Sequence, residues 1–287
     1  FWFINAVFMM SYITYIPLFL WLRKIDIYIG LSPNFYPYYF IGKKTKRAAI
    51  VYDLVWKLFP KTMERFYRLK MTALIRYNLK RVELLFAISE STKKDFLQVF
   101  GDNYNIHSIP LAANPDLFYP ADKNMQLTVK KKYNINDKYL ISVCTIEPRK
   151  NLETLLKAFA VLNKPQYKLV LVGEIGWIKE IFFISLEQLK IRERVIITGY
   201  VPKEDLAPLY SGADVFIFPS LYEGFGLPVL EAMQCGCPVI ASNNSSIPEV
   251  TGDAALLLDE PENENQMLIA INKVLSDVSL RKELSKK

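Results

Sequence analysis

The sequence predicts an α/β protein made of two Rossmann-like domains, each with a doubly wound parallel sheet. The chain has 287 residues, which is long enough for two α/β cores. Apolar runs of strand length alternate with amphipathic helical stretches, as in βαβ units. In the back half the strand-like runs are almost continuously apolar, which is typical of parallel strands covered by helices on both faces.

Composition indicates a folded intracellular protein with an anionic partner. Hydrophobic residues make up 51% of the chain. The cysteines, Cys144, Cys235 and Cys237, are too few for a disulfide framework, and Cys-Gly-Cys lacks the spacing of a zinc or redox pair. The net charge of +7 favours phosphate, anionic lipid or nucleic acid as a partner. No aromatic-and-basic signature of nucleic-acid binding is visible, so we predict no nucleic-acid partner. The cysteine content fits a reducing compartment, so we predict a cytoplasmic location.

The first 22 residues contain no charged side chain and end at Arg23 and Lys24. Their length suffices to cross a bilayer, but Pro17 and several polar residues oppose a transmembrane helix. A buried core helix is favoured, with a membrane-surface contact at the inner face of the cell membrane and a true span as alternatives. The chain begins with Phe and ends just after a helical pattern, so we interpret it as a fragment of a longer protein.

The front half predicts a truncated Rossmann-like domain over residues 1–118. Strand-like runs lie at residues 25–30, 47–53 and 83–89, with helical patterns between them. A turn-rich passage at residues 109–124 is expected to join this domain to the next.

The back half, residues 119–287, predicts a second doubly wound domain. Its strand-like runs lie at residues 139–145, 168–173, 194–199, 214–220, 238–242 and 254–259. Asn151 is expected to cap the following helix, and Pro228 suits a first helical position. In such sheets, ligands bind beyond the carboxyl ends of the strands.

The stretch PSLYEGFGLPVLEAM, residues 219–233, places two carboxylates around a glycine-containing loop. Gly224 and Gly226 allow a ligand to approach the backbone closely. Glu223 is predicted in the loop and Glu231 in the first turn of the next helix, both facing the ligand crevice. Two acceptors for hydroxyl groups and free backbone N–H donors suit a polyhydroxylated, phosphorylated ligand. A solvated loop charge and a carboxylate stabilised by the helix dipole are the alternatives.

A second candidate site lies in TIEPRKN, residues 145–151. Arg149 and Lys150 directly precede a helix, where positive charges are unfavourable and a bound anion would reverse the sign. We interpret the pair as a diphosphate clamp, with two surface charges in a turn as the alternative.

These motifs, together with ITGYVPKEDLAPLYSGADVFIFPS and SSIPEVTGDAALL, resemble the retaining nucleotide-sugar glycosyltransferases of group 1, or family 4, with the GT-B fold. They are most similar to bacterial mannosyltransferase-type enzymes of surface-polysaccharide assembly. The resemblance runs from about residue 25 to residue 259. It implies two Rossmann-like domains facing a cleft, with the acceptor on the first domain and the sugar nucleotide on the second.

The resemblance also implies roles for individual residues. Glu223 would contact the donor sugar, and Glu223 and Asp53 would be the catalytic residues. The implied donor-binding residues are Arg149, Lys150, Gly173, Tyr200, Val201, Phe225, Gly226, Leu227 and Glu231. Among these, Glu231 would bind the ribose, and Tyr200 would lie beside the base. One departure is Tyr52, which stands before Asp53 where the family has histidine, and the single histidine, His107, lies elsewhere.

The sequence thus predicts a retaining hexosyltransferase, with mannose from GDP-mannose favoured. Its partners would be the nucleoside-diphosphate sugar and a glycan or lipid-linked acceptor. No Asp-x-Asp is present, so no metal and no cofactor beyond the donor substrate is predicted. A catalytically inactive nucleotide-sugar-binding module and a nucleotide-sugar epimerase are the alternatives. A nicotinamide dehydrogenase is disfavoured because no Gly-x-Gly-x-x-Gly follows a strand.

Overall fold

A computed structural model describes residues 18–32, 45–60, 65–176 and 179–287. The chain divides into two compact units, Phe1–Leu111 and Ala112–Lys287, which we describe separately as unit 1 and unit 2. The division falls within the turn-rich passage at 109–124, seven residues before the predicted boundary. Most of the apolar stretch 1–22 lies outside the described residues; within it, residues 18–22 are helical. None of the helices in the described ranges is long and apolar enough to cross a bilayer.

Unit 1 contains a four-stranded parallel sheet in the order β1-β2-β3-β4. The strands are β1 (Ile27–Gly30), β2 (Lys46–Val51), β3 (Leu84–Ala87) and β4 (Ile106–Ser108). The helices are α1 (Val55–Leu58), α2 (Arg65–Leu79) and α3 (Glu90–Phe100). The first three strands confirm the predicted runs. The fourth was not predicted, since it has only three residues and includes the exposed His107.

Unit 2 contains a six-stranded sheet in the order β10-β9-β8-β5-β6-β7, with all neighbours parallel. The strands are β5 (Lys138–Val143), β6 (Tyr167–Val172), β7 (Val195–Gly199), β8 (Val215–Phe218), β9 (Val239–Ser242) and β10 (Ala255–Leu258). Each coincides with a predicted run to within two residues at either end. The predicted doubly wound sheet is therefore confirmed.

Helices cover both faces of this sheet. They are α4 (Lys123–Lys132), α5 (Leu152–Ala160), α6 (Lys179–Gln188), α7 (Lys203–Gly212), α8 (Leu227–Gln234), α9 (Ile247–Thr251), α10 (Glu264–Ser276) and α11 (Val278–Leu284), with short 3-10 turns at Pro148–Lys150 and Arg192–Arg194. One apolar layer packs around Phe159 and Ile271, and the other packs around Tyr210 and Phe216. Burying both faces explains why the strands read as continuous apolar runs.

The strand order creates a switch point between β5 and β8. From β5 the chain proceeds to β6 and β7 on one side, and then returns to β8 on the other side of β5. Loops leaving β5 and β8 therefore diverge from adjacent carboxyl ends, which is where ligands bind in doubly wound sheets. Both predicted motifs lie in these two loops.

Candidate functional site

The loops after β5 and β8 are joined through their backbones. The N–H of Leu221 donates to the carbonyl oxygen of Arg149 over 2.9 Å. The hydroxyl of Ser220 also donates to that oxygen, at 3.3 Å. Arg149 of the first motif is therefore hydrogen-bonded to Ser220 and Leu221 of the second, although some 70 positions separate the two motifs in the sequence.

Four charged side chains meet where the loops touch, and we call them the ion cluster: Glu147, Arg149, Lys150 and Glu223. Lys150 Nζ lies 2.6 Å from Glu223 Oε1, and Arg149 Nη1 lies 3.3 Å from the same oxygen. Arg149 Nη2 lies 2.6 Å from Glu147 Oε1. The side chains of Lys150 and Glu223 are only 11% and 12% exposed. Two carboxylates thus balance two cations in a largely buried setting.

Arg149 connects both loops. Besides its two carboxylate partners, its Nη1 donates to the carbonyl oxygen of Tyr222 over 2.5 Å. Burial acts to lower the pKa of the Arg149 guanidinium, but Glu223 and Glu147 outweigh burial and raise it. The guanidinium is therefore fixed in place and charged.

The ion cluster corrects our expectation that Arg149 and Lys150 carry unfavourable, uncompensated charge in the ligand-free protein. Glu147 and Glu223 already neutralise the pair. Asn151 occupies the N-cap position of α5 as predicted, but its backbone is left-handed (φ 53°) and its side chain makes no capping hydrogen bond. Instead, the Asn151 amide donates to a distant carbonyl and its oxygen accepts from a threonine hydroxyl.

The loop carrying Glu223 is also tied to the segment after β9. The N–H of Glu223 donates to Ser245 Oγ, and Ser246 Oγ donates to the carbonyl oxygen of Glu223, both over 3.0 Å. Closer to the sheet, Ser242 Oγ donates to the carbonyl oxygen of Ser220 over 2.6 Å. The backbone of Glu223 is therefore held at two points, and a change in its side chain need not disturb the loop.

Gly226 ends this loop and begins α8. Its φ of 100° is in the left-handed region, and a Cβ there would lie 2.6 Å from Ile247 Cδ1. The backbone angle favours glycine at this position, and a Cβ would also force the end of the Ile247 side chain to shift. Gly224 has no such positive φ, so of the two glycines only Gly226 needs glycine for its backbone conformation.

Glu231 lies in the second turn of α8, not in the first as predicted. Its Oε2 accepts a hydrogen bond of 3.2 Å from the hydroxyl of Tyr210, a fully buried residue of α7. Burial raises the pKa of Glu231, and the Tyr210 hydroxyl and Lys203 offset part of that effect. Within the described ranges, no hydrogen bond or ion pair joins Glu231 to the ion cluster. The two glutamates are thus held by separate partners.

Other residues of the predicted donor site are placed as follows. Tyr200 directly follows β7 and is 71% exposed. Val201 and Phe225 bury their side chains, so only their backbones remain to meet a ligand. Gly173 follows β6 with φ 134°, and a Cβ there would overlap the carbonyl oxygen of Cys144, so packing already requires this glycine. Leu227 is the first residue of α8.

Asp53 belongs to unit 1. It follows β2, is exposed, and accepts a hydrogen bond of 3.0 Å from the N–H of Val55 through Oδ1. Tyr52 and Asp53 line a cavity of about 180 Å³ whose other walls, including Trp56 and Phe96, are mainly apolar. The carboxylate is accessible and its local geometry is set by the start of α1.

Four residues of the site were not identified as contributors from the sequence: Glu147, Ser245, Ser246 and Tyr210. Glu147 lies within the motif that we singled out, and an acid two residues before Arg149 was a usable signal for an ion pair. Ser245 and Ser246 were quoted in a motif without a role. No pattern in the sequence pointed to Tyr210, because its hydrogen bond to Glu231 depends on the packing of α7 beside α8. In the ranges that the structure describes, no group of three or more His, Cys, Asp or Glu side chains is arranged to hold a metal ion.

The family described as glycosyl transferases group 1 matches residues 125–287. The chain is 34% identical over 272 residues to the O-antigen chain mannosyltransferase B of Escherichia coli, covering 91% of this chain and 68% of that protein. It is 33% identical to the serotype-specific mannosyltransferase WbdA of Escherichia coli, covering 71% of this chain but only 26% of that protein.

Solved structures of low sequence identity share the fold. Sucrose-phosphate synthase from Thermosynechococcus elongatus matches with a TM-score of 0.79 at 23% identity, covering 97% of this chain and 71% of that one. Anabaena HepE in complex with UDP and glucose matches with a TM-score of 0.80 at 17% identity, covering 95% and 74%. WaaG, a glycosyltransferase involved in lipopolysaccharide biosynthesis, matches with a TM-score of 0.75 at 19% identity, covering 94% and 74%. These likenesses confirm the predicted GT-B type of fold.

Proposed function

From the premise that the chain belongs to the glycosyl transferases group 1 family and is a glycosyltransferase, we propose that it transfers mannose from GDP-mannose to a glycan or lipid-linked acceptor, with retention of configuration. Several of the matched relatives are named as mannosyltransferases, and two of them, from Mycolicibacterium smegmatis and Corynebacterium glutamicum, are named as GDP-mannose-dependent. The observation that carries the proposal is the ion cluster at the switch point between β5 and β8.

Arg149 and Lys150 are the proposed ligands of the donor diphosphate. A guanidinium can bind two phosphate oxygens at once, and an ammonium adds a point charge beside it. Arg149 is also held by the carbonyl oxygen of Tyr222 and by Glu147, so its guanidinium needs little reorganisation, whereas the Glu223 carboxylate has to move away. The same charges would stabilise the diphosphate as it leaves the sugar, which lowers the barrier to transfer.

Glu223 has a double role in this proposal. Without donor its carboxylate occupies the two cations that the diphosphate needs. When phosphate oxygens take over those cations, the carboxylate becomes available to accept a hydrogen bond from a hydroxyl of the donor sugar. Diphosphate binding and sugar binding would then be coupled through one side chain.

Glu231 is the proposed partner of the ribose hydroxyls. Tyr210 engages Oε2, which leaves lone pairs of Oε1 for a ligand. The hydrogen bond from Tyr210 also favours the charged form of a carboxylate whose burial disfavours it. We place the base of the nucleotide beside Tyr200, whose ring is exposed.

Asp53 remains our proposed catalytic residue on the acceptor side, supported by its accessible carboxylate beside the cavity in unit 1. We further propose that transfer takes place at the inner face of the cell membrane. We also propose that transfer needs no metal ion, because Arg149 and Lys150 supply the positive charge. A catalytically inactive donor-binding module is the second candidate, favoured by Tyr52 standing where the family has histidine.

A transfer assay distinguishes the two candidates. GDP-mannose, UDP-glucose and UDP-N-acetylglucosamine are titrated by calorimetry, and the preferred donor is then incubated with synthetic mannosides in excess EDTA. Arg149→Ala/Lys150→Ala serves as the matched inactive variant. Transfer to a mannoside in EDTA, absent from the variant, supports the enzyme. Donor binding without transfer supports the module, and failure of every sugar nucleotide to bind contradicts both.

A further inference from the structure

The net positive charge of the chain comes from unit 1. Residues 1–111 contain 16 Lys and Arg against 7 Asp and Glu, a formal charge of +9. Residues 112–287 contain 20 Lys and Arg against 22 Asp and Glu, a formal charge of −2. The proposed donor site is in unit 2, so binding the donor does not account for the excess charge. An anionic partner of unit 1 would therefore bind a surface other than the donor site.

The densest basic segment of unit 1 is helix α2 with the two residues that follow it. Residues 65–81 contain six Lys and Arg and no Asp or Glu. The ion pairs in the described part of unit 1 join Arg47 to Glu83 and Lys93 to Glu90, so none of them neutralises α2. A solvated helix usually mixes both signs of charge along its surface. Helix α2 does not.

Apolar side chains project from the same helix into solvent. Phe66 is 79% exposed and Leu69 is 58% exposed, and Tyr77 is also exposed. Spacings of three, eight and eleven residues place them on one side of the helix. The opposite side is the one that packs into the unit, through Met71 and Ile75.

We propose that this outer face of α2, formed by Phe66, Leu69, Lys70, Arg76 and Tyr77, docks unit 1 on an anionic lipid bilayer. Basic side chains would lie among the lipid headgroups, while the apolar side chains enter the boundary of the acyl chains. A nucleic acid or an acidic polysaccharide would satisfy the charges but leave Leu69 and Phe66 largely in water. The helix would lie on the membrane and not cross it, in keeping with its charge.

Vesicle flotation tests the proposal without any sugar donor, so its result is independent of transferase activity. The chain is mixed with phosphatidylcholine vesicles, either pure or containing about 30% phosphatidylglycerol. We expect binding only to the anionic vesicles. Lys70→Glu/Arg76→Glu should reduce partitioning at least about tenfold at low salt, because headgroup attraction turns into repulsion. Lys131→Glu/Lys282→Glu makes the same charge change on exposed residues of unit 2 and should have little effect.

The apolar contribution is tested separately. Phe66→Ser/Leu69→Ser should weaken binding at low and at high salt alike, because insertion is not screened. A polarity-sensitive fluorophore on Phe66→Cys should shift to the blue on anionic vesicles, whereas the same label on Leu127→Cys, an exposed position of unit 2, should not. Burial raises the pKa of Cys144 and Cys235 to about 12, and Cys237 is also buried, so the introduced thiol is the reactive one.

Each result decides for or against the docking surface. Equal partitioning into neutral and anionic vesicles would overturn it. So would equal losses in the unit 1 and unit 2 charge variants, or an unshifted label at position 66 with the protein bound. Binding to heparin or DNA with none to vesicles would assign the basic helix to a polyanion instead. Circular dichroism of each variant checks that the exposed substitutions leave the fold intact.

Discussion

Replacing Glu223 by glutamine should tighten the binding of GDP, although Glu223 is a proposed donor-binding residue. Free GDP has a diphosphate but no sugar, so it gains nothing from the carboxylate. It must, however, displace that carboxylate from Lys150 and Arg149, which lie 2.6 Å and 3.3 Å from Oε1. Glutamine keeps the shape of the side chain and removes its charge.

The size of the effect follows from the contacts that are exchanged. A hydrogen bond to a charged group contributes about 1.5 to 3 kcal/mol in proteins. The amide oxygen of glutamine can still accept from Lys150, so only part of that contribution disappears. We therefore expect GDP to bind roughly tenfold more tightly, equivalent to about 1.4 kcal/mol. GDP-mannose exchanges a charged acceptor for its sugar for a weaker, neutral one, so its affinity should rise less or fall.

Calorimetry of GDP and GDP-mannose against wild type and Glu223→Gln measures both changes. The informative quantity is the ratio of the two dissociation constants, which should move in favour of free GDP. Glu153→Gln is the control, because it removes a carboxylate from the exposed pair that Glu153 forms with Lys157. Unchanged or weaker GDP binding in a folded Glu223→Gln protein would refute the proposed competition between carboxylate and diphosphate.

Three further predictions rest on the same site. Arg149→Ala/Lys150→Ala should abolish most GDP affinity while sparing guanosine, and equal losses for the two ligands would argue against a diphosphate site. The same double substitution should lower the free energy of unfolding in urea by about 1 to 3 kcal/mol, because two partly buried carboxylates lose their partners. Nucleotide affinity should fall as the pH is lowered through the raised pKa of Glu231, because the protonated acid is a poorer acceptor. Tyr210→Phe should move that fall to higher pH, because it removes a hydrogen bond that favours the charged form of Glu231. Coincident pH profiles for wild type and Tyr210→Phe would contradict the assignment. Gly226→Ala should destabilise unit 2 by about 2 kcal/mol or more, since its left-handed backbone and a nearby isoleucine both oppose a Cβ, and urea denaturation tests this.

Local pattern was sufficient to predict most of the fold. The strands of unit 2 are buried on both faces, so their apolar character is visible in any short window of sequence, as in β5 and β8. Strand β4 escaped prediction because three residues with an exposed histidine carry almost no periodicity. A special backbone conformation at Gly226 could be expected from the sequence, because glycine before a helix often marks a left-handed residue, and φ is indeed 100°.

The chemistry of the candidate site was only half visible in the sequence. Its residue types and their positions at strand ends followed from the pattern, and Glu223, Arg149 and Lys150 were identified in this way. Their mutual neutralisation was not, because Lys150 and Glu223 are 73 residues apart and meet only when β5 and β8 become neighbours. The bond from Tyr210 to Glu231 likewise depends on two helices packing together. The sequence by itself determined which groups lie at the edge of the sheet, whereas the tertiary structure decided which of them pair, because pairing depends on distances that strand order and helix packing create.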